Sequence, residues 1–145
     1  MRTGPMRVAV AATALLLTLA ACAVEAATEG EGDPAATVVA IGDTGISEIT
    51  LSELGATRLG IDTRPVEPAA KGNGLVVPYE AVIYDAEGAT WVFTNPSGQT
   101  YVREPIEITR ISGDDVVLAS GPAVGTAVVT VGAAELVGAE AGLGS

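Results

Sequence analysis

The chain has no histidine, a single cysteine and five aromatic residues among 145. Without histidine there can be no Ser-His-Asp triad, no Cys-His dyad and no His-ligated zinc, and one cysteine cannot build a thiolate metal site. Positive charge is also scarce: seven basic residues face 18 acidic ones, a net charge of −11 that sets the protein against the phosphates of nucleic acid. What is abundant is apolar residues, at 48%, with 18 glycines and eight prolines. That mixture fits one modest domain of short strands and tight turns rather than a helical bundle.

The one long uncharged run comes first. Arg2 and Arg7 bracket a short basic start, and residues 8–21 (VAVAATALLLTLAA) follow without a charge. This is the layout of a secretory leader, and fourteen residues are too few for an ordinary transmembrane helix, which needs about 20. The run ends in Leu19-Ala20-Ala21-Cys22, which resembles the bacterial lipobox. That resemblance implies diacylglyceryl attachment to the Cys22 thiol and cleavage before it, so that residues 1–21 are a lipoprotein signal peptide. Removing 21 of the 145 residues leaves 124, with five basic residues against 18 acids and a net of −13. Both methionines, Met1 and Met6, leave as well. A chain with no Met, no His and no free thiol is not a carrier of soft metals, and no cofactor is expected. Anionic headgroups repel so acidic a domain, so acyl chains must hold it, each buried methylene contributing roughly 0.8 kcal/mol. The expected location is the extracytoplasmic face of the cell membrane.

Residues 22–36 read as the lipidated cysteine and a flexible tether, rich in Ala, Glu and Gly and poor in anything that could be buried. Fully extended, its fourteen residues after Cys22 span at most about 50 Å. The domain proper is expected at 37–137, followed by a flexible tail at 138–145. Its fold class is all-β, a small barrel or sandwich of about seven to nine short strands with one or two short helices. Strands are expected at 37–41, 46–51, 61–66, 75–77, 82–84, 89–94, 100–111, 116–119 and 127–131, the seventh with a bulge at Pro105. Ser52 reads as an N-cap opening a helix over 53–59, with Gly60 at the C-cap. A single turn is expected at 79–81 and a terminal helix at 133–137.

The order of several short motifs resembles the membrane-proximal domain of periplasmic adaptor subunits, the membrane fusion proteins of efflux pumps. They are Val77-Pro78-Tyr79-Glu80-Ala81-Val82, Trp91-Val92-Phe93, Val102-Arg103-Glu104-Pro105-Ile106, Val116-Val117-Leu118-Ala119-Ser120-Gly121, Gly125-Thr126-Ala127-Val128-Val129 and Gly132-Ala133-Ala134-Glu135-Leu136. Upstream, Ile49-Thr50-Leu51 and Gly60-Ile61-Asp62-Thr63-Arg64-Pro65-Val66 resemble a further segment of the same superfamily. The likeness covers roughly 90 of the 124 mature residues. It implies a lipid-anchored, non-enzymatic accessory domain that docks on an inner-membrane efflux or export transporter, or on a fuller adaptor chain. Two departures limit it. There is no long heptad region and no lipoyl-like pair, and Thr126 stands where the family carries Asp. The alternative is a cell-envelope lipoprotein that binds a small ligand or another envelope protein.

Arg58, Arg64, Arg103 and Arg110 are rare cations on a negative chain and are the candidate docking points for an acidic partner. The same residues also read as isolated ion pairs on strand faces, worth about 0–1 kcal/mol each. The aromatics Tyr79, Tyr84, Trp91, Phe93 and Tyr101 fall within 23 positions and are expected to form the core of a hairpin. Asp85-Ala86-Glu87-Gly88 lacks the remaining ligands of a calcium loop and reads as a solvated turn. Lys71, beside Gly72-Asn73-Gly74, is too exposed to serve as a desolvated base.

Overall fold

The computed structural model of the protein describes residues 34–142. Cys22, the residues expected to be a leader and most of those expected to be a tether lie outside the described residues, as do the last three positions. The described chain runs β1 (Ala36–Ala40), β2 (Ser47–Leu51), α1 (Glu53–Leu59), β3 (Asp62–Pro65), β4 (Glu67–Pro68), β5 (Leu75–Pro78), a 3-10 turn (Tyr79–Ala81), β6 (Ile83–Tyr84), β7 (Thr90–Ser97), β8 (Thr100–Pro105), β9 (Glu107–Ser112), β10 (Asp115–Ser120), β11 (Ala127–Val131) and α2 (Ala133–Glu140). The strands form two antiparallel sheets. The larger has the order β1-β2-β8-β7-β11-β3, with β6 also paired to β7; the smaller has the order β4-β5-β10-β9. Neither closes into a barrel, so the fold is an all-β sandwich with two short helices.

The chain passes between the sheets four times, and each passage carries a proline: Pro65 ends β3, Pro78 ends β5, Pro105 ends β8 and Pro122 follows β10. Proline has no N–H to extend a ladder. Pro65 lies opposite Ala127 and Pro105 opposite Trp91, and each ladder ends there. At two passages the next residue turns inward. Val66 is 1% exposed and Ile106 5%. The backbone polar groups of both are satisfied. The Val66 N–H donates to Thr126 O and its carbonyl accepts from Gly125 N–H, both at 2.8 Å. The Ile106 N–H donates to Thr90 O at 3.0 Å, and its carbonyl accepts from Thr90 Oγ1 at 2.7 Å.

Two cores lie on opposite faces of the larger sheet. Between the sheets pack Val66, Val77, Ala81, Val92, Ile106, Val116, Leu118 and Val128. On the other face, under the helices, pack Ile49, Leu51, Phe93, Tyr101, Val129, Ala133 and Leu136. Neighbours in sequence divide between them: Val92 and Phe93 on β7, Val128 and Val129 on β11, all wholly buried. A strand buried on both faces loses the alternation that marks a one-sided strand.

Helix α1 forms as its local chemistry dictates. Ser52 Oγ accepts from Gly55 N–H at 3.0 Å, and the left-handed Gly60 donates its N–H to Ala56 O at 3.0 Å.

Several expectations change. The strand expected over 100–111 does not bulge at Pro105; it leaves the larger sheet there and resumes as β9 in the smaller one. Strand β7 runs on through Asn95 and Pro96, because Asn95 Nδ2 donates to the carbonyls of Gly98 and Thr100, both at 2.9 Å, and so moves the turn to Gly98. Ala36 pairs with Leu51, so the domain starts before 37. The terminal helix continues to Glu140, whose carboxylate accepts from Ser47 N–H at 2.9 Å. Of the aromatics, Phe93 and Tyr101 are buried, but Tyr79 is 47% and Tyr84 52% exposed. Their strand and turn lie at the rim of the larger sheet, where no layer covers them.

Gly132 starts α2 at φ 89, and a Cβ there would collide with Ile61 Cδ1. Gly132→Ala therefore combines left-handed strain with overpacking and is expected to cost about 2–3 kcal/mol. In an Ile61→Val background, which removes that methyl, the cost should fall by about half, as read from urea midpoints. An equal cost in both backgrounds would show that the steric contact is not the cause.

Candidate functional site

Helices α1 and α2 stand apart over β1 and the end of β2, and the gap between them is an open groove of about 730 Å³. Each wall follows from the elements just described. Ser52 N–H donates to Ala35 O at 3.0 Å, which ties the start of α1 to the residue before β1. Gly55 is buried against that carbonyl, and a Cβ there would collide with it. The α1 wall thus contributes Gly55, Arg58 and Leu59; α2 contributes Glu135, Gly138 and Ala139; and β1 contributes Ala36 and Val38. Small residues carry most of the lining, so backbone rather than long side chains shapes the groove.

Beside it lies the one ion pair among the described residues. Arg103 Nε lies 3.2 Å from Glu140 Oε1, with the side chains 25% and 11% exposed. The contact is ionic rather than directional, since Nε does not meet the geometry of a hydrogen bond. The guanidinium is held elsewhere as well. Its Nη2 donates to Gly45 O at 2.7 Å, and its carbon sits 4.6 Å from the centre of the Trp91 ring. The Trp91 indole N–H donates in turn to Asp85 Oδ2 at 2.9 Å. One chain of contacts therefore links α2, the β1–β2 hairpin, β7 and β8, and the turn before β7.

The structure does not gather the four candidate arginines. Arg103 is engaged internally. Arg58 is exposed on the rim of the groove. Arg64 is exposed on β3, at the far edge of the same sheet, and Arg110 on β9, at an edge of the smaller sheet. Arg110 and the exposed Lys71 line a shallow recess of about 370 Å³ with Asn73 and Thr109. Cys22 lies outside the described residues. The reading from sequence missed the groove because Ala36, Val38, Gly55 and Ala139 carry no chemical signature. The available signal was a first strand without charge or proline, next to helices with small residues.

The turn at 85–88 needs no ion. Asp85 Oδ1 accepts from Glu87 N–H at 3.1 Å and Ala89 N–H at 2.7 Å. The Trp91 hydrogen bond holds the Asp85 carboxyl below its usual range against the opposing effect of burial, and the backbone N–H donors of Ala89, Glu87 and Gly88 add to the lowering. Burial raises the Tyr84 hydroxyl, with Tyr79 adding to it, and burial raises Tyr101.

No family model matches the chain, and neither a curated protein nor a solved structure matches it.

A carboxyl with a lowered folded-state pKa stabilises at neutral pH, and its contribution disappears as pH falls through that lowered value. Asp85→Ala is therefore expected to lower Tm at pH 7 and to red-shift the Trp91 emission. The difference in Tm from wild type should shrink as pH drops below the ordinary carboxylate range. A difference independent of pH down to 2.5 would show that the carboxylate is not responsible.

Proposed function

We propose that the protein is a lipid-anchored, non-enzymatic module of the bacterial cell envelope that docks on an inner-membrane efflux or export transporter, or on a fuller adaptor chain. It acts by shape and position. The observation that carries the reading is the placement of the lipobox-like Leu19-Ala20-Ala21-Cys22 just ahead of a compact β-domain whose first strand begins at Ala36. Thirteen residues separate Cys22 from Ala36, a span of at most about 45 Å. An acyl anchor at Cys22 would keep the domain within reach of membrane proteins, while its acidity would keep it off anionic headgroups.

The resemblance to adaptor membrane-proximal domains supports the choice of partner. The resembling segments fall on β5, β7, β8, β10, β11 and α2, and all six of those elements contribute to packing between the sheets or beneath the helices. The second reading, an envelope lipoprotein that binds a small apolar ligand, is favoured by the groove between α1 and α2, whose volume falls in the range of ligand pockets.

The test is purification from detergent-solubilised membranes, wild type against Cys22→Ala. A transporter permease or adaptor chain should co-purify with the wild type and be reduced at least about tenfold with the variant, which should leave the membrane fraction. Recovery of the lipoprotein alone, still held to the membrane through Cys22, would contradict docking and leave the ligand reading.

A further inference from the structure

The two strand orders end in four edge strands, and three are blocked. Edge β3 carries Asp62, Arg64 and Pro65; β4 is two residues, Glu67 and Pro68; β9 carries Glu107 and Arg110 and is irregular against β10. Charge, proline, shortness and irregularity are the devices that keep an edge from pairing. Strand β1, Ala-Thr-Val-Val-Ala, has none of them, and its Val38 and Val39 are 40% and 57% exposed.

Its free groups follow from the ladder. The Ile41 N–H donates to Ile46 O at 2.9 Å. Antiparallel alternation from that bond turns the polar groups of Thr37 and Val39 toward β2 and those of Ala36, Val38 and Ala40 outward. Among the described residues nothing pairs with them. The side chains of Ala36 and Val38 also line the groove between α1 and α2. A strand added to β1 would thus project every second side chain over that groove, and the rest onto the opposite face. An open edge beside a groove for alternate side chains is the arrangement of strand-addition sites.

Charge selects the occupant. Glu135 lines the groove, Glu48 stands opposite Val39 on β2, and Asp43 lies in the hairpin turn; none has an ion-pair partner among the described residues. Arg58 is the one cation lining the groove. A second copy of a chain with net charge −11 would be repelled. We propose that the β1 edge and its groove bind an extended segment of a partner protein in which apolar residues alternate with basic ones. This stands whether or not the partner belongs to a transporter.

The probe is a fluorescein-labelled heptapeptide of valine at odd positions and arginine at even ones, read by anisotropy against the full-length chain in detergent. Two controls replace arginine by glutamate, or the valine at position 3 by proline. Both should bind at least about tenfold more weakly, the second because it loses a ladder hydrogen bond and the strand conformation. Val38→Pro removes an outward N–H without touching the β1–β2 ladder and should weaken the arginine peptide about tenfold. Val38→Lys, which keeps the backbone and places a cation at the groove, should do the same and decides the matter if the proline variant does not fold. Equal binding of the three peptides, or full binding by folded Val38→Lys, would overturn the proposal. So would a wild-type dimer in sedimentation that Val38→Lys dissociates, since the occupant would then be a second copy.

Discussion

Everything in this fold depends on how the chain leaves one sheet and enters the other. Four prolines sit at the four passages, three as the last residue of a strand and the fourth, Pro122, two residues beyond β10. At two of them the following apolar residue, Val66 or Ile106, becomes a plug between the sheets with its N–H and C=O both bonded. An unbonded pair of backbone groups at that depth would cost several kcal/mol, so the crossing and its hydrogen bonds cannot be separated. Because the crossings are fixed, β7 and β11 are covered on both faces, and the single layer of strands can support two cores.

The second core is what makes an exposed feature possible. Phe93, Tyr101 and Val129 fill the space under α1 and α2, and Leu136 fastens α2 to it. The helices reach the sheet but leave β1 uncovered between them. Arg103 completes the outer end, binding Glu140, Gly45 and the Trp91 ring at once. An arginine whose side chain is three-quarters buried and held on three sides is a fastener for α2 and the β1–β2 hairpin rather than a free docking charge. The rigid frame and the unblocked strand are therefore consequences of the same packing.

Much of this was legible in the sequence where the signal is local. Ser52 and Gly60 mark the ends of α1 because capping depends on residues within one turn. The run Ala-Val-Val-Thr-Val marks β11 because β-branched residues in a row suit a strand buried on both faces. The change of sheet at Ile106 was not legible, since the apolar residues of 100–111 read as one continuous strand and a passage between layers leaves no break in it. The contacts of Arg103 were not legible either: Gly45 lies 58 positions away, and only the fold brings it near. The groove was silent because nearly half of its lining is alanine and glycine, which look alike in a turn, a core or a cleft.

The most direct test of the account is photo-crosslinking in living cells. A benzoylphenylalanine would replace Val39 on the open edge or Arg64 on the blocked one, and adducts would be identified by mass spectrometry. The account predicts an adduct from position 39 with an inner-membrane transporter subunit or adaptor chain, absent from position 64 and lost when Cys22 is replaced by alanine. Adducts with such a subunit from position 64 alone, or an adduct at 39 that survives loss of the anchor unchanged, would contradict it.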